Sequence, residues 1–374
     1  MNPTEVFCPN MECLARGEVG KGNIKIHSQK EKRYKCKECK KTFAESKGTM
    51  YYRIHKIKQE IDLVEVVITL LGNGCPLQAI VKALKLDERT VSNWQNKAGQ
   101  HCEKVHKEIV EKPRELGQVQ CDEIRVKQQG AIVWMAMGIM VQTRLWLAGV
   151  ISKNRDMGLI SELMRKIRSC AKTGEILICV DGLVSYIRAS YRAFRDKEKD
   201  DGQATTKFKV WSGLMIAQVV KQYSGKLLVG VQHRIVKGSL ESVEKLITLS
   251  QGNGWINTSF IERLNATFRQ RLSFLVRRGR ALSKQSLSLH YSMFLVGTLY
   301  NFCTYHKSLR IKINGKYYPR TPAMASSITD HCWSVRSLLL FRIPPPPFSP
   351  PPLPKSLGRP RSLLGFFSLS SGPD

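Results

Sequence analysis

The apolar pattern of this chain changes period near residue 116, and that change limits the fold more than any single motif. LGQVQCDEIRVK (116–127), AIVWMAMGIMV (131–141) and RLWLAGVIS (144–152) are strand-like runs joined by short turns, which predicts a meander. MGLISELMRKIRSC (157–170) has helical spacing, and EILICVDGL (175–183) predicts an apolar strand ending in a carboxylate. VSYIRASYRAFR (184–195) reads as a helix, KEKDDGQATTK (197–207) as a loop and KLLVGVQHRIVKG (226–238) as a strand. SLSLHYSMFLVGTLYNFCTYH (286–306) reads as a long, mostly buried helix. Three strands, a helix, a strand and then helices make a mixed α/β domain over 117–310.

The residues before it have a different character. Cys8 and Cys13 form one close pair, Cys36 and Cys39 another, with 22 residues between the pairs. Each pair makes a knuckle and the spacer closes the loop, so residues 1–50 are expected to form a zinc ribbon whose structural Zn2+ is held by all four cysteines. IKQEIDLVEVVITLL (57–71) is a helix broken by Gly72-Asn-Gly74, and 77–98 reads as helix, turn, helix. In the second of these Val91 and Trp94 face inward, leaving Arg89, Asn93 and Gln95 outside. That is the pattern of an all-α helix-turn-helix DNA-binding domain over 51–100, although a helical hairpin that merely packs has the same spacing. Residues 101–116 predict a linker helix and 311–340 a C-terminal extension. Ten of the 16 prolines fall within 344–374, so 341–374 is expected to be a Pro-rich disordered tail.

Composition narrows the partner. A formal net charge of +30, from 60 Lys+Arg against 30 Asp+Glu, points to a polyanion, with DNA or RNA ahead of an anionic membrane surface. MNPTEVFCPN lacks a charged start followed by an apolar run, so no secretory signal is expected. The apolar stretch 131–151 is interrupted by Gln142, Thr143 and Arg144, which excludes a bilayer span there. Eleven cysteines, scattered singly outside the two pairs, suit a reduced cytoplasmic protein.

Three carboxylates carry the chemistry in a domain of the RNase H-like type. Asp122 lies mid-strand in QVQCDEI, Asp181 ends a strand in LICVDGL, and Glu262 lies in NTSFIERLNATFRQRL. Phosphodiester chemistry needs such a trio to hold two divalent ions close together, and hard oxygen ligands select Mg2+ or Mn2+. Each acid also has a plainer reading. Of Asp122 and Glu123, alternation sends one to the site and the other to solvent, with Cys121 and Glu123 sharing the other face. Asp181 can cap the following helix. Glu262 can complete an S-x-x-E capping box with Ser259.

The run CPNMEC…RYKCKECKKTF, with CDEI, CVDGL, INTSFIERLNATFRQRLSFLVRRGRALSK, LYNFCTYH and RTPAMA, resembles the DDE transposases of bacterial insertion sequences. The resemblance spans roughly residues 5 to 337, and the Pro-rich tail departs from it. It implies a catalytic triad at Asp122, Asp181 and Glu262, with Asn265 and Arg269 helping to hold terminal DNA. It also implies a nick that exposes a 3′-hydroxyl, which then attacks target DNA, and a homo-oligomer during synapsis. Arg269, Arg271, Arg277, Arg278, Arg280 and Lys284 would neutralise phosphates along the bound end. The competing reading is a non-catalytic DNA-binding regulator, or an inactive transposase copy. A serine-dependent resolvase ranks third, since no serine sits in a comparable constellation.

Overall fold

The computed structural model describes residues 1–54, 61–198, 207–252, 254–276, 282 and 286–346. The chain divides into two compact units, Met1–Glu45 with Pro344–Asp374, and Ser46–Ile343. Arg277, Arg278, Arg280 and Lys284, and nearly all of the Pro-rich tail, lie outside the described residues.

In the first unit β1 (Ile24–Ser28), β2 (Arg33–Cys36) and β3 (Thr42–Ala44) form an antiparallel sheet. Its core is small: Val6, Ile24 and Tyr34 are buried together with Cys8, Cys13 and Cys36.

The second unit begins with α1 (Ile61–Gly72), α2 (Leu77–Leu84) and α3 (Glu88–Ile109). α2 ends where Lys85 adopts φ +52°, and α3 starts where Asp87 accepts a hydrogen bond from the Thr90 N–H at 3.1 Å. α3 runs for 22 residues, so the expected boundary near residue 100, between hairpin and linker, is absent. Gly99 does not break the helix. It is a notch where α3 meets another helix, because a Cβ there would lie 2.3 Å from the Tyr291 carbonyl oxygen. Val91 and Trp94 are buried and Arg89 and Asn93 exposed, but half-buried Gln95 donates to Ser292 Oγ at 3.3 Å rather than facing solvent.

After α3 come β4 (Gly117–Gln128), β5 (Ala131–Met140), β6 (Trp146–Ser152), α4 (Met157–Cys170), β7 (Ile176–Asp181) and α5 (Val184–Ala193). A small hairpin, β8 (Arg195–Glu198) and β9 (Lys207–Val210), precedes β10 (Leu214–Ser224), β11 (Leu227–Lys237), α6 (Leu240–Gln251), α7 (Ser259–Arg271) and α8 (Ser286–Phe302). The C-terminal part adds β12 (His306–Ile313), β13 (Lys316–Arg320), α9 (Pro322–Ala325) and α10 (Val335–Leu340). The main sheet has the order β11-β10-β7-β4-β5-β6, with β4, β7 and β10 parallel and the remaining pairs antiparallel.

Both faces of the sheet are covered, as buried parallel strands require. Cys121, Ile178 and Val180 pack with Leu163 of α4 and Tyr186 of α5. On the opposite face Ile124, Met135 and Met137 share a core with Ile261, Leu264 and Phe268 of α7, with α8, and with Val91, Ala98 and Val105 of α3. Thus α1–α3 belong to the same compact unit as the sheet. The C-terminal part joins it too: Leu338 and Leu339 are buried, and Arg336 Nε pairs with Glu65 Oε2 at 2.7 Å.

Two histidines tie α3 into this unit. His101 Nε2 lies 3.1 Å from the Leu338 carbonyl and His106 Nε2 lies 2.9 Å from the Leu147 carbonyl. Burial depresses His101 to about 4 and His106 to about 3, from an ordinary 6.5. The unfolded chain takes up these protons below 6.5 while the fold resists them, so stability present above 6.5 drains away as the pH falls. Urea unfolding at pH 7 and pH 4.5 should differ by roughly 2 kcal/mol from His101 alone. Replacing His101 by Gln should flatten that part of the profile.

Candidate active site

Strands β4 and β7 are paired only from Gly117↔Ile176 to Gln120↔Cys179, whereas β7 and β10 stay paired to Val219↔Asp181. Beyond Gln120 the parallel strands separate, and a crevice opens at their carboxyl ends, where α/β sites form. It is a cleft of about 720 Å3, with Asp122 and Glu123 on one wall, Asp181 and Gly182 on another, and Lys221 and Tyr223 from β10. Thr258, Glu262, Asn265 and Arg269 line it from the α7 side. The three sequence-nominated acids therefore share one cleft, together with Asn265 and Arg269.

Glu123 is the residue that strand alternation misplaced. It does share a face with Cys121, but that face is interior. Its side chain is 1% exposed, so it does not point to solvent. Because, among the described residues, no strand pairs with β4 on its β7 side beyond Gln120, carboxylates from both faces of the strand reach the split. Oxygens of Asp122, Glu123 and Asp181 lie within 4.8 Å of one another, a grouping that can bind a divalent cation.

Each acid is held by a different device. Asp122 Oδ1 accepts from the Glu123 N–H at 2.8 Å and Oδ2 from Asn265 Nδ2 at 2.8 Å. Burial, with the charges of Glu123, Asp181 and Glu262 adding to it, raises Asp122 to about 6. Asp181 has a divided role: Oδ1 accepts from the Leu183 N–H at 3.0 Å, as a turn cap would, while Oδ2 faces the cleft. Burial also raises Glu123, with Asp181 adding to it and the Tyr186 hydroxyl and Arg155 opposing it. Arg155 supplies the local counter-charge. Its Nε and Nη2 donate to Glu123 Oε2 at 3.0 and 2.8 Å, and Nη2 also reaches Asp181 Oδ2 at 3.3 Å.

Glu262 stands apart from that cluster. Its Oε1 takes Lys221 Nζ at 3.3 Å and the Thr258 hydroxyl at 3.3 Å. The capping box that Glu262 could complete with Ser259 is not formed. Thr258 is the N-cap residue, which places Ser259 at the first helical position and Glu262 at the fourth. The free N–H groups of α7 are met from elsewhere. Asn257 Oδ1 accepts from Ser259 N at 3.0 Å, and Gln120 Oε1 accepts from Phe260 N at 2.9 Å and Ile261 N at 3.1 Å. Replacing Gln120 by Ala should cost about 1–3 kcal/mol for each stranded donor, read by urea unfolding. A variant as stable as the parent would show that these bonds do not hold the helix.

The basic run after Glu262 is not uniform. Arg269 is half-buried on the cleft, whereas Arg271 turns away and donates to Thr304 Oγ1 at 3.2 Å.

The other candidate centre is in the first unit. The sulfurs of Cys8, Cys13, Cys36 and Cys39 all lie within 4.8 Å of one another, with Cys8–Cys39 at 3.6 Å and Cys13–Cys36 at 3.8 Å. Zn–S bonds of about 2.3 Å in a tetrahedron require sulfurs about 3.8 Å apart, so these residues fit such an ion. Two knuckles make this possible: Gly17, at φ +72°, donates its N–H to the Cys8 carbonyl, and Lys40 at φ +59° turns the chain after Cys39.

Among the described residues no helix is long and apolar enough to cross a membrane. Comparison with protein-family models gives no match to this chain, and comparison with curated protein sequences gives none either.

Proposed function

We propose that the chain is a DDE-type DNA transposase that binds the terminal repeats of an insertion sequence and cleaves and joins DNA ends. The observation that carries this reading is the convergence of Asp122, Asp181 and Glu262 on one cleft at the split between parallel strands. The meander followed by parallel strands supports the RNase H-like reading of the domain, and the four-sulfur cluster supports the zinc-ribbon reading.

In this mechanism Asp122 and Asp181 would hold Mg2+ or Mn2+, with Glu262 as the third acid. Such ions would supply activation of the attacking water or 3′-hydroxyl and charge compensation at the leaving oxygen. Asn265 keeps the Asp122 carboxylate turned toward the cleft. Arg155, anchored on buried Glu123, and Arg269 and Lys221 give the walls the positive charge that a phosphodiester needs. Glu262 must leave Lys221 to join the other two acids, a side-chain rotation that incoming phosphate favours by competing for the lysine. Arg89 and Asn93 are exposed on α3 and available for duplex contact, and synapsis of two ends requires at least a dimer.

Nicking of a duplex carrying the element's terminal repeat, with and without Mg2+, tests the reading directly. Cleavage that is independent of a divalent cation would sink it. One observation favours the regulator reading: Arg155 already bridges Glu123 and Asp181, which satisfies the acids without a metal. If that bridge is permanent, the protein binds duplex and never cuts it.

A further inference from the structure

A second cleft, of about 470 Å3, lies between the Lys47–Arg53 segment and the middle of α3. Lys47, Arg53, Lys97 and Lys104 line it, and among the described residues no carboxylate does. Tyr52 sits among them, with Lys47 Nζ 4.4 Å and the Arg53 guanidinium 5.3 Å from its ring centre. We infer that this cleft is a second DNA-contact site, which takes the phosphodiester backbone of duplex outside the segment held at the carboxylates.

A solvated basic face would have its cations spread apart and fully wet. Here Lys47 and Lys97 are half-buried, and among the described residues neither is paired with a carboxylate. Burial depresses the Lys97 ammonium, and the nearby charge of Arg53 adds to it. An anion in the cleft offsets that charge. Exposed Arg53 and Lys104 give the site a charged rim beyond its half-buried floor.

The donors also indicate which phosphate fits. Compact phosphate sites use free backbone N–H groups at a helix start. Lys97, Gln100 and Lys104 instead lie well inside α3, where backbone N–H groups are consumed by the helix. On that wall only the long side chains remain as donors, and these suit an extended charged backbone better than one fixed phosphate. On α3 these residues continue the face that carries Arg89 and Asn93, because Asn93 and Lys97 lie one helical turn apart.

This inference rests on duplex DNA being the partner, so the experiment measures duplex binding without added divalent cation. The combined variant Lys47→Gln, Arg53→Gln, Lys104→Gln removes three charges and leaves Lys97, which donates to the Tyr52 carbonyl, in place. The slope of log affinity against log salt should become shallower by about 2.7, and affinity near 0.1 M salt should fall on the order of 10²-fold. The variant should melt no lower than the parent. An unchanged slope in a variant that melts normally, with the parent binding duplex, overturns the second site and leaves the transposase reading intact. Failure of the parent itself to bind duplex overturns both. If millimolar inorganic phosphate displaces duplex from the parent but not from the variant at matched ionic strength, the cleft is a small-anion site and the assignment to duplex is wrong.

Discussion

Asp122→Asn should lower metal-dependent cleavage by roughly 10³-fold or more while leaving the protein at least as stable as the parent at pH 7. The rate effect follows from losing several kcal/mol of charge stabilisation at the metal, where each 1.36 kcal/mol is a factor of ten. The stability effect follows from the raised carboxyl group. A group at about 6 in the fold, against an ordinary 3.8, is protonated more readily folded than unfolded, so stability falls as the pH rises through that window. The neutral amide escapes that penalty, which offsets the one hydrogen bond its single acceptor oxygen must give up of the two that Asp122 accepts, from the Glu123 N–H and Asn265 Nδ2. Thermal melting and nicking assays on the same preparation give both readouts. Glu262→Gln should behave alike, with full helicity and no cleavage, because Gln120 and Asn257, not Glu262, hold the start of α7. Either variant cutting at the parent rate would remove its residue from the mechanism.

Withdrawing the metal from the cysteine cluster should unfold the first unit and spare the second. Apart from the cysteines, the buried apolar side chains of residues 1–45 are Val6, Phe7, Ile24 and Tyr34. At about 1.5–3 kcal/mol each they fall far short of the entropy of ordering such a segment, roughly 1–2 kcal/mol per residue. Structural zinc contributes on the order of 10 kcal/mol or more, and a small domain depends on that staple. Cys36→Ser, or a strong chelator, should make residues 1–45 sensitive to limited proteolysis. The melting transition of Ser46–Ile343 should stay where it was. Persistence of the β1–β3 amide protection in chelator would show that the four sulfurs are not needed for the fold.

Much of this architecture was legible because its strands carry local signals. The three meander strands and the strand ending at Asp181 lie within a residue or two of where their apolar runs place them. β10 was missed for a physical reason. Its first half is buried on both faces and its second half, from Lys221 to Ser224, is exposed, so it shows neither a sustained apolar run nor alternation. Glu123 was misjudged because alternation predicts a face but not what covers it. The point at which β4 and β7 part company depends on pairing between segments some sixty residues apart. The capping box failed for the same reason: the local sequence Asn257-Thr258-Ser259 offers three competing caps, and Gln120, 140 residues earlier, takes part in deciding among them.

That glutamine has a mechanical consequence. Gln120 Nε2 donates to the Asn257 carbonyl at 2.8 Å while its oxygen takes two N–H groups of α7, so one amide rivets the helix to the central strand. One turn further along, Asn265 adds a second rivet on Asp122. With the helix fastened at two points, α7 cannot slide or roll without breaking buried hydrogen bonds. Glu262 is thus mounted on a rigid arm, and in the proposed mechanism it would reach the other acids by a pivot of one side chain away from Lys221. On that reading, readiness would be set by a single carboxylate's choice between a lysine and a cation.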